Sequence, residues 1–202
     1  MEILVDLLES LTPAQWNAPS LCAGWRVRDV VSHVLMPYEL TTPRFLGGLV
    51  AHRFDFDRMA NAWAVRDHRS APELIAALRA HGRFRVPGAG PEGERTHLVI
   101  HGLDIAYPLG RPYPVPAESA NLTLEQLTLP RARRLVGAGR LDGLSFVATD
   151  TGWRHGNGPA VQGPAAALIL AIANRPAALA DLAGEGVESL RAATATATAS
   201  DR

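Results

Sequence analysis

Apolar residues return every three or four positions through the first half of the chain, and that period predicts helices. Leu4, Leu7, Leu8 and Leu11 open the pattern, and Thr12-Pro13-Ala14-Gln15 supplies an N-cap, a first-turn proline and a capping-box glutamine for a short second helix. From Val27 the stripe Val27, Val30, Val31, Val34 and Leu35 predicts a longer helix that Pro37 or Pro43 should kink or end, with His33 in its middle. Ser70-Ala71-Pro72-Glu73 is another capping box, ahead of Leu74, Ile75 and Leu78. Gly82 and the run Pro87-Gly88-Ala89-Gly90-Pro91 close that helix in a loop. A further helix is expected from about Glu92 to Tyr107, with Leu98, Ile100 and Leu103 packing inward. The sum is four principal helices.

The pattern changes after Pro108. Gly110-Arg111-Pro112-Tyr113-Pro114-Val115-Pro116 reads as a stiff linker, followed by a helical stretch through Leu122, Leu127 and Leu135. Leu144–Thr149 and Trp153–His155 alternate like strands about the turn Asp150-Thr151-Gly152, which predicts a hairpin. Gly163-Pro164 opens a helix from Ala165 to about Asn174, and Pro176 starts another over Ala177–Ala183 that Gly184 ends. The expected organisation is a helical domain over 1–110, a small α/β domain over 111–191, and a disordered, low-complexity Ala-Thr tail over 192–202.

Composition narrows the function classes. Lys plus Arg and Asp plus Glu both number 20, so no basic field gathers nucleic acid or an anionic membrane. Every one of those basic residues is arginine. The longest apolar run, Ala165 to Ala173, is about half of what a bilayer crossing requires. One cysteine, Cys22, excludes an internal disulfide, and the N-terminus lacks the order of a signal peptide, so a cytoplasmic protein is expected.

Candidate chemistry concentrates in Glu94-Arg95-Thr96-His97-Leu98-Val99-Ile100-His101-Gly102-Leu103-Asp104. Four residues is one helical turn, so His97 and His101 share a face and can offer a metal two nitrogens. His33 is the best third ligand in the sequence. Spacing alone leaves the alternative of core or surface histidines that bind nothing. Asp104, within a turn of His101, can support the metal helix or merely pair locally. Trp25 and Trp153 read as core anchors and Cys22 as a small buried residue, while His52, His68, His81 and His155 have no partner at ligand spacing. Glu39 and Asp29 lie within helical reach of His33 and would be the general bases of a metal-assisted hydrolase.

The order of these features resembles a known family. The run from Leu11 through Trp16, Pro19, Cys22-Ala23-Gly24-Trp25-Arg26-Val27-Arg28-Asp29 to His33 is similar to the opening of the mycothiol-dependent maleylpyruvate isomerase family, a largely actinobacterial branch of the DinB-like superfamily. Val99-Ile100-His101-Gly102-Leu103-Asp104 resembles that family's metal helix. Phe146–Trp153 and the stretch from Gly163-Pro164 to Asn174-Arg175-Pro176 resemble its small C-terminal domain, itself similar to sterol-carrier-protein folds.

The resemblance implies a mainly α protein, a DinB-like four-helix bundle followed by a small α/β domain of sterol-carrier type that closes over one side. It implies a divalent metal on His33, His97 and His101, with zinc favoured and nickel or iron also suited. At His97 the chain departs from the isomerase pattern, which usually has Glu there, towards the three-histidine set of the wider superfamily. A neutral imidazole in place of a carboxylate leaves the metal one charge more positive and strengthens its hold on a thiolate. The implied function is that of an enzyme using mycothiol as co-substrate, its metal-bound thiolate being the nucleophile. Adding to a maleylpyruvate-like cis-enedioate, the thiolate would allow bond rotation and elimination of the trans isomer; meeting an epoxide or halide, it would complete an S-transfer. Arg175 is the candidate for holding a substrate or thiol carboxylate, with capping of a helix C-terminus as its plainer role. The partners expected are a small-molecule substrate and the thiol, for a monomer or homodimer. The contrasting reading is a DinB-like protein that binds a metal or small ligand without turnover.

Overall fold

A computed structural model describes residues 1–86 and 90–200 of the chain; the expected loop at Pro87-Gly88-Ala89, and the tail residues Asp201 and Arg202, lie outside the described residues. The chain divides into two compact units, Met1–Pro114 and Val115–Arg202. Helices dominate, with one small sheet in the second unit.

The first unit contains α1 (Glu2–Glu9), α2 (Pro13–Trp16), α3 (Val27–Glu39), α4 (Thr42–Ala51), α5 (Phe56–Val65), α6 (Ala71–Arg79) and α7 (Gly90–Ala106). Both predicted capping boxes form: Thr12 with Gln15 starts α2 and Ser70 with Glu73 starts α6. The core is built from Leu4, Leu8, Val27, Val30, Val34, Leu74, Leu78 and Ile105, the residues of the sequence stripes with α7 added. α3 lies at its centre and is buried on nearly every side from Val27 to Tyr38. Pro37 does not stop it, because the helix runs on to Glu39. The two helices not expected from the pattern are α4 and α5; α5 turns Met59, Ala60 and Ala64 inward, and residues this small signal a buried face only weakly.

A polar tether fixes the far side of α3. Ser32 donates to Asp67 at 2.8 Å, and Arg69 bridges Asp67 at 2.6 Å to Glu39 at 2.6 Å. Burial acts to raise the Asp67 pKa, but the guanidinium and backbone N–H of Arg69 and the Ser32 hydroxyl overcome it and bring the pKa down to about 2.

The second unit holds α8 (Ala117–Thr128), a 3-10 turn at Pro130–Ala132, α9 (Arg133–Val136), β1 (Ser145–Ala148), β2 (Arg154–Gly156), β3 (Ala160–Gly163), α10 (Ala165–Ile172), a 3-10 helix at Pro176–Asp181 and α11 (Val187–Ser200). The expected hairpin is present, with Phe146 opposite His155 in the antiparallel β1–β2 pair. β3 joins the other edge of β1 in parallel, Phe146 beside Val161, giving the order β2-β1-β3. The pattern did not announce β3, which is only four residues long and has one buried side chain, Val161. Gly156 ends β2 at φ 75, where a β-carbon would run into the carbonyl oxygen of Leu144. Leu135 is 45% exposed and does not extend the apolar stripe of α8. The segment after Pro176 takes 3-10 and not α form.

Arg140 is the most heavily bonded side chain of this unit and is 5% exposed. Its guanidinium donates to the carbonyls of Ala171 at 2.7 Å and Ile172 at 2.9 Å, at the end of α10, and to that of Val136 at 3.0 Å. It also donates to the Thr194 hydroxyl at 2.8 Å. Thr194 lies in the Ala-Thr run read as tail, and this anchor accounts for the run continuing as α11 instead of fraying. No helix of the described residues is long and apolar enough to cross a membrane. Arg140→Met should lower the unfolding free energy of the second unit by about 3 kcal/mol, since it leaves several buried carbonyls unpaired. Denaturant unfolding followed in the far ultraviolet measures this, and Thr194→Val should show a smaller loss of the same sign.

Candidate metal centre

One stripe of α7 is polar although the helix is packed into the core. Glu94, His97, His101 and Asp104 recur at three- and four-residue spacing and so share a face. Glu94 accepts from the Tyr38 hydroxyl at 2.8 Å, a contact between α7 and α3 that holds the two helices in register. Burial and then the Glu94 carboxylate raise the Tyr38 pKa well above its ordinary value and keep the phenol protonated.

One turn further on, the helices bring three imidazoles together. The His33 ring lies 5.3 Å from that of His97 and 4.8 Å from that of His101, and His97 and His101 are 4.6 Å apart, centroid to centroid. A ligating nitrogen from each lies within 4.8 Å of the others. Nε2 of His97 is buried and has no hydrogen-bond partner. Burial, followed by the neighbouring His101 and His33, pushes the His97 pKa well below 6.5. The ring therefore stays neutral, the form in which imidazole ligates.

Beneath the triad the set is held from two sides. Asp104 is fully buried, and its carboxylate accepts from Nδ1 of His101 at 2.9 Å, which directs the lone pair of Nε2 outward. The same oxygen accepts from the Cys22 thiol at 3.1 Å, and Leu21 donates its backbone N–H to the Asp104 carbonyl at 3.0 Å. The loop before α3 is thus pinned to α7. It also delivers Trp25, whose ring lies 5.0 Å from His33 and whose indole N–H donates to Asn61 at 2.8 Å. Trp25 packs against both apolar clusters of the unit, as its size suggests, and also forms a wall of the site. Cys22, His101 and Asp104 are close enough to form a second potential ligand group.

The donor chemistry fits a divalent cation: three imidazole nitrogens converge, Nε2 of His97 has no hydrogen-bond partner, and a carboxylate orients the His101 ring. Sequence reasoning named His33, His97, His101 and Asp104, and the fold brings these four together. Arg175 is in the second unit, where its guanidinium donates to the Ala173 carbonyl just past α10, a helix C-terminal contact. The two carboxylates considered as general bases are engaged elsewhere, Asp29 with Arg26 at 2.9 Å and Glu39 with Arg69. Gly102 receives the Tyr113 ring, which a β-carbon would displace, and Tyr113 donates to the Leu98 carbonyl at 3.3 Å.

Missed in the sequence were Phe45, Phe56, Phe84 and Arg85, which line a cavity reaching His33 and His97. They come from loops and the two unpredicted helices, where no period marks them. Glu94 was legible in principle as one more member of the polar stripe.

Residues 1–89 match the family described as "Mycothiol maleylpyruvate isomerase N-terminal domain". That segment carries His33, and the helix of His97 and His101 follows it. Two crystal structures of a mycothiol-dependent maleylpyruvate isomerase are similar to the chain. One, of a mutant, has 14% identity and a TM-score of 0.48 over 91% of this chain and 88% of that one. The other has 16% identity and the same TM-score over the same shares. No curated protein matches the chain.

The His97 shift has a consequence for stability without metal. A histidine that is neutral when folded but titrates near 6.5 when unfolded lets the unfolded chain take up protons first. Chelator-treated protein should therefore lose stability as pH falls below about 6.5. Urea unfolding between pH 8 and 5 checks this, and His97→Gln should flatten the slope.

Proposed function

Because residues 1–89 belong to the family described as the mycothiol maleylpyruvate isomerase N-terminal domain, we propose that this protein is a metal-dependent enzyme that directs a low-molecular-weight thiol, mycothiol, at an electrophilic small molecule. The observation that carries this reading is the convergence of His33, His97 and His101, with ligating nitrogens within 4.8 Å of one another. A divalent cation bound there, zinc by preference and nickel or iron as the other candidates, would lower the pKa of a coordinated thiol and supply a thiolate at neutral pH.

The side chains around the triad perform the rest. Asp104 holds the His101 ring by its Nδ1 proton, and Cys22 holds Asp104. The Trp25 and Phe84 rings, 5.0 Å from His33 and 5.8 Å from His97, shield the imidazoles from water. Arg175 is the candidate for binding a carboxylate of the thiol or the substrate, as a guanidinium can do through two parallel bonds. Two outcomes share the first carbon–sulfur bond: isomerisation of a maleylpyruvate-like double bond, and S-transfer to an activated carbon. A small-molecule thiol as partner fits a cytoplasmic enzyme acting as a monomer or homodimer.

Elemental analysis of the purified protein tests the site. Near-stoichiometric metal is expected in the parent and none in a variant with His33, His97 and His101 all changed to Ala; equal metal in both would sink the reading. Asp104→Ala should weaken metal binding by about 10- to 100-fold while leaving some metal bound. Titration with mycothiol should show binding to the metal-loaded form alone. Metal and thiol binding with no electrophile consumed would identify a binding protein without turnover.

A further inference from the structure

Beside the triad lies a cavity of about 310 Å³, and its lining includes His33 and His97. Its other walls are strongly apolar: Phe45, Phe56 and Phe84, with Met36 and Leu40 behind them. The polar side chains there besides the histidines are Thr42 and Arg85. Arg85 is fixed at the edge by two bonds to the end of α3, from its backbone N–H to the Pro37 carbonyl at 2.9 Å and from its guanidinium to the Tyr38 carbonyl. With five donors, a guanidinium in that position can still engage one anionic or carbonyl group. It is the one cationic side chain among the described residues lining the cavity.

That inventory decides what can sit against the histidines. Apart from whatever charge the triad holds, the lining offers one guanidinium for the two carboxylates of a cis-enedioate, and most of the remaining wall is phenylalanine and aliphatic surface. Stripping an ion of water without a partner costs several kcal/mol, more than such a small molecule recovers by apolar burial. A flat apolar body instead stacks on the rings at no such cost. The volume is at the lower end of the ~300–1,000 Å³ typical of ligand sites, which suits one or two fused rings.

Resting on the metal-and-thiol reading above, we propose that the electrophile is an apolar molecule with one or two aromatic rings and at most one anionic group, seated in this cavity, and that the thiol is transferred to it. The thiolate sulfur donates an electron pair to form a bond to the activated carbon. The bond from that carbon to a halide breaks, its pair leaves with the halide, and the proton lost by the thiol goes to solvent.

Binding to the metal-free full-length protein separates this assignment from the metal chemistry. Calorimetric titration with 1-naphthylacetate, an apolar body with one carboxylate, should saturate, and maleate should bind about tenfold more weakly or not at all. Phe84→Ala should weaken naphthylacetate about tenfold through lost apolar contact. Because Phe84→Ala could disturb the fold, Val86→Trp provides a second check: Val86 is 43% exposed, so the larger ring narrows the cavity without entering the core. It should weaken naphthylacetate equally with an unchanged melting temperature. His101→Ala removes a member of the triad that does not line the cavity, and naphthylacetate should bind this variant as it binds the parent. Maleate binding as tightly as naphthylacetate, or naphthylacetate affinity unchanged in both cavity variants, overturns the assignment. Metal content of the same samples reports separately on the reading beneath it.

Discussion

Burying a polar stripe inside an apolar bundle is the constraint on which the first unit depends. Glu94, His97, His101 and Asp104 share one face of α7, Asp104 fully buried and the other three partly so, and each buried polar group left unpaired costs about 1–3 kcal/mol. The fold offsets that cost from both ends of the stripe. Tyr38 satisfies Glu94 at one end, and at the other Asp104 takes hydrogens from His101 and Cys22. These bonds set the register of α7 on α3, and the register sets where His33 meets the other two rings. In the middle of the stripe Nε2 of His97 is buried without a hydrogen-bond partner, which costs stability unless a ligand occupies it.

What was legible in the sequence follows from how each element is stabilised. α1, α3 and α6 announce themselves because aliphatic side chains of full size line one face and capping boxes mark the starts of α2 and α6. His97, His101 and Asp104 could be read as one face because helical spacing is independent of context. α5 was not legible: its inward face is Met59, Ala60 and Ala64, and alanines serve both surfaces and interiors. β3 was hidden for a different reason, being a short parallel neighbour of β1 whose pairing is set by the chain's return and not by alternation. Trp25 was legible as a core residue, but residue size does not say which neighbours it meets, and its contact with His33 was not legible. The cavity lining depends on loops whose side chains converge only in three dimensions.

The second unit solves a similar problem with arginine. α10 is apolar along its length, and its C-terminal carbonyls lie where water does not reach, so they need donors from within the chain. Arg140 serves Ala171 and Ile172, and Arg175 serves Ala173. Arg140 is buried and also secures Thr194, which makes it a structural member. The observed contact of Arg175 is with the carbonyl of Ala173, the helix C-terminal role that a cation favours.

Charge links the triad to the cavity. Imidazole ligates as a neutral group, so a dication on three of them would keep its full charge, and the Asp104 carboxylate would act on it through the His101 ring. Such a centre has its strongest affinity for an anionic ligand of its own, which a thiolate satisfies. Once that pair forms, the remaining reactant enters surroundings of aromatic rings with a single guanidinium at the edge. Low dielectric there would strengthen the attraction between cation and thiolate. A carboxylate ligand in place of His97 would lower the charge at the centre and weaken that first attraction. In the proposed reaction the histidine would favour an anionic sulfur, and the phenylalanines a largely apolar carbon electrophile.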